Sequence, residues 1–158
     1  MENRKVEAVL KFYRDIDLDI RLDYKLLAET KGIYNTLEGV VYDGLPRGSS
    51  LSDQTAGFAV VIAGTETSAR IKTLEREINE LEILKTEILT EILSLPPVHK
   101  NVIYYFYIKN RKWEWISEHI NYSVRQSQNI RRAALENLGR KIEKNKIISE
   151  SWIIKKIT

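Results

Sequence analysis

Side chains that can recognise the edges of DNA bases are concentrated in one short stretch of the chain, from Ser123 to Leu135. This stretch contains no acidic residue. Its arginine and amide side chains are Arg125, Gln126, Gln128, Asn129, Arg131 and Arg132. Arginine forms paired hydrogen bonds with guanine, and asparagine or glutamine does so with adenine. If the stretch is helical, one face has the chemistry needed to read double-stranded DNA. A solvated helix can carry such residues for solubility alone, but the lack of acidic residues argues against that alternative.

Two helices joined by a tight turn are predicted around this stretch. The apolar residues of Lys112–Ile120 recur at steps of three and four, which predicts a short amphipathic helix. Asn121 follows, and asparagine adopts left-handed backbone angles more readily than its neighbours here. Ser123 with Gln126 three residues later is the signature of a capping box, so a new helix starts there and runs to about Lys144. This order is typical of a helix-turn-helix.

The predicted second helix has an inner and an outer face. Its apolar residues at a spacing of four should pack on the preceding helices; they are Ile130, Ala134 and Leu138. We expect the major groove to be read by Arg125, Gln126, Gln128 and Asn129, beside the helix start at Ser123. We expect phosphates to be approached by Arg111, Lys112, Arg131, Arg132 and Lys141.

The charge distribution also divides the chain. Residues 1–95 carry 12 Lys+Arg against 17 Asp+Glu, a net charge of −5, whereas residues 96–158 carry 13 against 5, a net charge of +8. Pro96 and Pro97 mark the boundary, because proline lacks an N–H donor and disfavours helix in the residue before it. A basic segment attracts the phosphates of nucleic acid or of an anionic membrane. The predicted regions are a helical oligomerisation or partner-binding region at 1–95, a DNA-binding domain at 96–145 and an apolar tail at 146–158.

The first region is predicted to be helical throughout. Apolar residues recur at helical spacing over Val6–Val41, with possible breaks at the glycines near its end, and again over Ile71–Leu95. The glycine- and serine-rich segment Tyr42–Thr55 is the predicted loop. Ala56–Gly64 is expected to begin the second helix, with a buried strand as the alternative. We therefore expect an all-α protein in which a long helical hairpin or a coiled-coil dimer precedes the helix-turn-helix domain.

Catalytic and metal-binding chemistry has little support in the sequence. The chain has no cysteine, and neither His99 nor His119 has an acidic partner at ligand spacing. The acidic residues of Asp15–Asp23 alternate, but helical geometry scatters such positions around the axis. We expect no enzyme, catalytic residue, metal or cofactor. The chain also lacks an apolar run of about 18 residues and a signal-peptide pattern at its start, so we expect a cytoplasmic protein that does not enter membranes.

The segment WEWISEHINYSVRQSQNIRRAALENL resembles region 4 of bacterial sigma factors and, more closely, the late transcriptional activators of phages known as the ArpU and RinA group. Three features carry this resemblance. Trp113 and Glu114 precede the isoleucine of the first motif helix, Tyr122 and Ser123 open the second, and an Ala-Leu-x-x-Leu pattern closes it. The segment SLSDQTA also resembles an element between the helical parts of these regulators. About 45 residues resemble the group well, and the remainder of the chain does so loosely.

The resemblance implies a sequence-specific transcription regulator that activates late phage or prophage genes by contacting promoter DNA and RNA polymerase. A single helix-turn-helix makes few base contacts, so we expect a homodimer on two half-sites or assistance from the polymerase. Two alternatives stay open. A terminase small subunit also joins a helix-turn-helix to a coiled coil but forms a ring, which the stoichiometry of the particle would reveal. A helical adaptor would bind an acidic protein with its basic end and show no preference among DNA sequences.

Overall fold

The computed structural model describes residues 1–38 and 52–157. Every regular element in these ranges is helical and none is a strand, which confirms the predicted all-α fold. The helices are α1 (Asn3–Glu38), α2 (Ser52–Leu93), α3 (Pro97–Ile103), α4 (Trp113–Ile120), α5 (Val124–Lys144), α6 (Lys146–Glu150) and α7 (Trp152–Ile157). Helix α3 continues directly into a π-helical turn, Tyr104–Ile108.

The two long helices follow the predicted periodicities. Helix α1 passes through Gly32 without a break, and the predicted break at Gly39 lies outside the described residues. Most of the predicted loop Tyr42–Thr55 also lies outside them, and its last four residues begin α2. The segment Ala56–Gly64 belongs to α2, which confirms the helix and excludes the strand. As predicted, the two prolines separate helices: α2 ends at Leu93, and α3 begins at Pro97 with Pro96 as its N-cap.

The chain divides into two compact units, and this division differs from the predicted cut at Pro96. The larger unit combines Met1–Leu18 with Leu81–Thr158, and the smaller unit is Asp19–Glu80. The start of α1 and the end of α2 therefore belong with the basic segment. The physical reason is burial: the helices of the basic segment do not enclose the core by themselves, and apolar side chains of both long helices complete it.

The core of the larger unit draws on almost every helix in it. From α1 and α2 it takes Val6, Val9, Leu10, Leu84, Ile88 and Ile92. From the rest it takes Leu95, Ile103, Tyr107, Ala134, Leu135, Leu138, Ile142, Ile148 and Ile154. Ile148 and Ile154 lie in the predicted apolar tail. The tail therefore packs on the core, because α6 and α7 each bury an isoleucine. Helix α5 contributes more buried residues than any other short element, so it is the centre of this unit.

In the smaller unit, the apolar stripes of α1 and α2 meet within one chain. Leu27 packs with Leu74 and Ile78, all three buried. Thr30 is a buried polar residue on this seam, and its hydroxyl donates a hydrogen bond of 2.7 Å to the carbonyl of Leu26, so its burial leaves no unpaired donor. An ion pair of 2.7 Å joins Lys31 to Glu75 across the seam. Here the helices form the intrachain pair that the sequence left open.

The burial of α5 predicts a large difference between two leucine truncations. Leu138 is fully buried, whereas Leu93 at the end of α2 is 57% exposed. We expect Leu138→Ala to lower the free energy of unfolding by about 2–5 kcal/mol, because it leaves a cavity among packed side chains. The matched variant Leu93→Ala should change it by less than about 0.5 kcal/mol. Urea unfolding followed by circular dichroism measures both values, and equal losses would contradict the core described for this unit.

Candidate nucleic-acid interface

Helices α4 and α5 are joined by a three-residue connection that ends one helix and starts the next. Asn121 has φ 58° and ψ 43°, the left-handed conformation expected of the residue after a helix. The following residue closes the turn, since the Tyr122 N–H donates a hydrogen bond of 3.0 Å to the Ser117 carbonyl. The turn between α4 and α5 therefore has a defined backbone conformation. The predicted positions of both helices and of the turn are confirmed.

The capping box at the start of α5 is also present. The Ser123 hydroxyl accepts a hydrogen bond of 3.2 Å from the Gln126 N–H, and the Gln126 side-chain oxygen accepts one of 3.1 Å from the Ser123 N–H. Both residues were predicted to lie at the DNA surface, and both are exposed. Because the amide oxygen of Gln126 is held by the cap, its amide nitrogen is the atom that can approach a base. Gln126 therefore has less hydrogen-bonding capacity free for a ligand than an amide side chain with both atoms available.

One face of α5 is buried against the rest of the larger unit. Ala134 and Leu138 are fully buried, as their spacing predicted, whereas Ile130 of the same predicted set is only half-buried. Ser127 is fully buried too, although it is polar; its hydroxyl donates a hydrogen bond of 2.9 Å to the Ser123 carbonyl. This internal bond removes the cost of burying an unpaired hydroxyl. Helix α4 also contacts α5, and its Ile116 is fully buried.

The opposite face of α5 presents most of the predicted base-reading residues. Arg125, Gln128, Asn129 and Arg132 are all exposed. Arg125, Asn129 and Arg132 are spaced four and three residues apart, so they form one row along the helix. Gln128 lies to one side of this row. No acidic residue precedes Glu136 in the helix, so the start of α5 offers only cationic and neutral polar groups to a ligand.

Arg131 occupies a different environment from its neighbours. Its Nη2 lies 2.5 Å from Oε1 of Glu7 in α1, and its Nε donates a hydrogen bond of 2.8 Å to the hydroxyl of Tyr107. The guanidinium also lies over the ring of Phe106, 5.1 Å from its centroid. Arg131 is therefore engaged inside the unit, joining α5 to α1 and to the π-helical turn. This role differs from the phosphate contact predicted from the sequence.

Tyr107 completes this cluster and its protonation is coupled to folding. Burial raises the pKa of the Tyr107 phenol to about 12, and the Glu7 carboxylate acts in the same direction, whereas the hydrogen bond from Arg131 lowers it. Tyr107 thus keeps its proton under ordinary conditions. In this state the phenol oxygen can accept from Arg131 while its hydroxyl donates to Glu7, so the three side chains satisfy one another.

The other predicted phosphate contacts fall into two groups. Arg111 and Lys112 are exposed at the start of α4, and the Arg111 guanidinium lies 5.1 Å from the ring centroid of Trp115. Both residues therefore lie at the end of α4 opposite the turn that leads into α5. Lys141 is partly buried and lies sixteen positions after Arg125 in the same helix, roughly 24 Å along the axis at 1.5 Å per residue. Lys141 is therefore not brought together with the residues at the start of α5.

A polar groove of about 230 Å³ adjoins the exposed face of α5. It is lined by Asn3, Glu7, Trp113, Gln128, Arg131, Arg132 and Leu135. Sequence reasoning did not associate Asn3 and Glu7 with the candidate interface, because they lie more than a hundred positions away along the chain. The sequence offers only one indication that Glu7 lies near α5, its charge opposite to that of an arginine. Many acidic and basic residues of the chain could be matched in the same way.

The aromatic run at Tyr104–Tyr107 packs mainly within the protein. Phe106 stacks on Trp113 with ring centroids 4.5 Å apart. Tyr105 meets the rings of Trp115 and His119 edge-on, at 4.8 Å and 4.7 Å. These contacts pack α4 against the π-helical turn.

The described residues contain no group of three or more histidine, cysteine or acidic side chains arranged to hold a metal ion. None of the helices in that part of the chain is long and apolar enough to span a membrane. Comparisons with protein-family models, with curated proteins and with solved structures found no match to this chain.

The raised pKa of Tyr107 predicts a loss of stability in alkali. The unfolded chain releases this proton near pH 10.0, whereas the folded protein holds it to about 12. The unfolded state therefore binds fewer protons between these values, and the free energy of unfolding should fall as the pH rises through them. Tyr107→Phe has no phenol to ionise, so its free energy of unfolding should fall less steeply over this range. Urea titrations at neutral pH and at several alkaline values test this, and parallel curves would contradict it.

The capping box predicts a cost for removing the Ser123 hydroxyl. Ser123→Ala should lower the free energy of unfolding by about 1 kcal/mol, because the N–H of Gln126 loses its acceptor. Ser123→Asp keeps an acceptor at the helix start, and its negative charge is favourable there, so its stability should stay close to that of the wild type. Thermal or urea unfolding checks the pair. An aspartate variant as unstable as the alanine variant would argue against the cap.

Proposed function

We propose that the protein binds double-stranded DNA sequence-specifically, with α5 in the major groove and α4 across the adjacent backbone. The observation that carries the proposal is the geometry of the α4–α5 module. A left-handed Asn121 and a capping box at Ser123 fix a helix whose inner face is buried and whose outer face is exposed. The first turns of that outer face contain arginines and amides without an acidic residue. These are the requirements of a recognition helix.

The proposed contacts follow from the position of each side chain. Arg125 and Asn129 lie in the exposed row at the start of α5 and would read base edges, with Gln128 beside them. Arg132 continues the row and would approach a phosphate, as would Arg111 and Lys112 from the start of α4. Arg131 is assigned a positioning role, because its guanidinium is held by Glu7 and Tyr107.

In its biological role we propose a transcription activator of phage or prophage late genes. This step is supported by the motif resemblance, and it implies contact with promoter DNA and RNA polymerase. A module with few base contacts gains specificity from a second copy on a neighbouring half-site or from the polymerase. A homodimer is the simpler arrangement, and the mass of the protein–DNA complex measures it.

The test is a mobility-shift titration on the DNA upstream of the neighbouring genes, at fixed salt and with excess competitor DNA. We expect a discrete complex on a preferred site. Arg125→Ala should weaken that complex by about 1–3 kcal/mol and reduce the preference over competitor, because a base contact is lost. The matched control is Arg140→Ala, an exposed arginine farther along α5, which should leave the preference over competitor unchanged.

Two outcomes would overturn the proposal. If no site is preferred over competitor DNA, sequence-specific binding is excluded. If Arg125→Ala weakens every sequence equally, Arg125 contacts phosphate and the orientation proposed for α5 is wrong. Circular dichroism of both variants should match the wild type, because the substituted side chains are exposed.

A further inference from the structure

We propose that the start of α1 is a third element of the DNA interface, with Arg4 and Lys11 contacting the phosphate backbone beside α5. This inference rests on the proposed function and extends it to a segment that the sequence assigned to oligomerisation or partner binding. It makes the interface one surface built from α1, α4 and α5, all within the larger unit.

The start of α1 is packed firmly against α5. Val6 and Val9 are fully buried in the core that contains Leu138. The closest approach is at Gly139, where an added Cβ would lie 3.1 Å from both the Met1 carbonyl oxygen and Cγ2 of Val6. The ion pair between Glu7 and Arg131 fixes the helix at a second point. The first turns of α1 therefore keep a defined position beside α5.

The polar groove shows which side of α1 faces the proposed DNA. Asn3 and Glu7 line the groove together with Gln128 and Arg132. At about 100° per residue, Arg4 lies about 60° from Glu7 around the helix axis. Lys11 follows Glu7 by four residues and lies about 40° from it on the same side. Both cationic side chains are exposed, so they extend the rim of the groove away from α5.

The charges along this flank are favourable for phosphate. Glu7 is the acidic residue of the groove, and Arg131 neutralises it at 2.5 Å. Asp15 is held by Arg14 through two hydrogen bonds of 2.8 Å. Neither Arg4 nor Lys11 has an ion-pair partner among the described residues, so their charges remain available to an anion.

The same helix supplies a matched control. Lys5 is exposed and carries the same charge as Arg4, its immediate neighbour. It lies about 160° around the axis from both Asn3 and Glu7, so it is on the side away from the groove. A general effect of net charge on DNA binding would therefore appear in both variants, whereas a contact would appear only at Arg4 and Lys11.

The experiment measures the salt dependence of DNA binding by the full chain. Affinities of the wild type, Lys5→Ala, Arg4→Ala and the Arg4→Ala Lys11→Ala double variant are determined at several salt concentrations, on the preferred site and on unrelated DNA. Each lost phosphate contact should reduce the slope of log K against log salt by about 0.9. We expect a reduction of about 0.9 for Arg4→Ala and about 1.8 for the double variant on both DNAs, and none for Lys5→Ala.

The possible outcomes separate this inference from the proposed function. A wild-type slope in the double variant, with Arg125→Ala still losing specificity, would overturn the role of α1 alone. Equal reductions in Lys5→Ala and Arg4→Ala would also overturn it, because a general charge effect would then be sufficient. A wild-type protein that does not bind DNA would overturn both proposals. Circular dichroism spectra and melting temperatures of all variants should match, since the substituted side chains are exposed.

Discussion

The larger unit depends on the complete burial of one face of α5. Ala134, Leu138 and Ile142 are fully buried, while Arg125 and Asn129 on the other side are exposed. Helix α4 is only eight residues long and cannot cover this face, so the start of α1 and the end of α2 contribute to the same core. The burial fixes the rotation of α5 about its axis. A fixed rotation is what a recognition helix needs, because base edges are read by a few side chains on one side.

Arg131 shows how polar contacts refine this packing. Its partners, Glu7 and Tyr107, come from α1 and the π-helical turn, so one guanidinium connects three elements. A partly buried ion pair contributes little net stability, because desolvating the charges offsets most of the attraction. Removing one partner is costly, however, since the other charge is left without compensation. The cluster therefore favours a single alignment of α1 on α5. In this alignment Asn3 lines the groove together with Glu7.

The sequence was informative where structure follows local rules, and uninformative where distant segments meet. The capping box at Ser123, the left-handed Asn121 and the stripe ending in Leu138 involve residues within four positions of each other, and all were predicted. The contact of Arg131 with Glu7 joins positions 124 residues apart, and no periodicity connects them. The π-helical turn was likewise hidden, because its aromatic residues fit an ordinary helix. The sequence therefore predicted the exposed row of α5, but not the contacts that Arg131 makes or the position of Asn3 at the groove.

The division into two units also changes the meaning of the charge asymmetry. The larger unit carries 18 Lys+Arg against 12 Asp+Glu, a net charge of +6, and the smaller unit carries 7 against 10, a net charge of −3. A cut at Pro96 assigns the whole of α1 to the acidic part. By contrast, residues 1–18 carry four charges of each sign and are neutral. Because repulsion from phosphate would oppose an acidic segment at a DNA surface, a neutral start of α1 is compatible with its place beside α5.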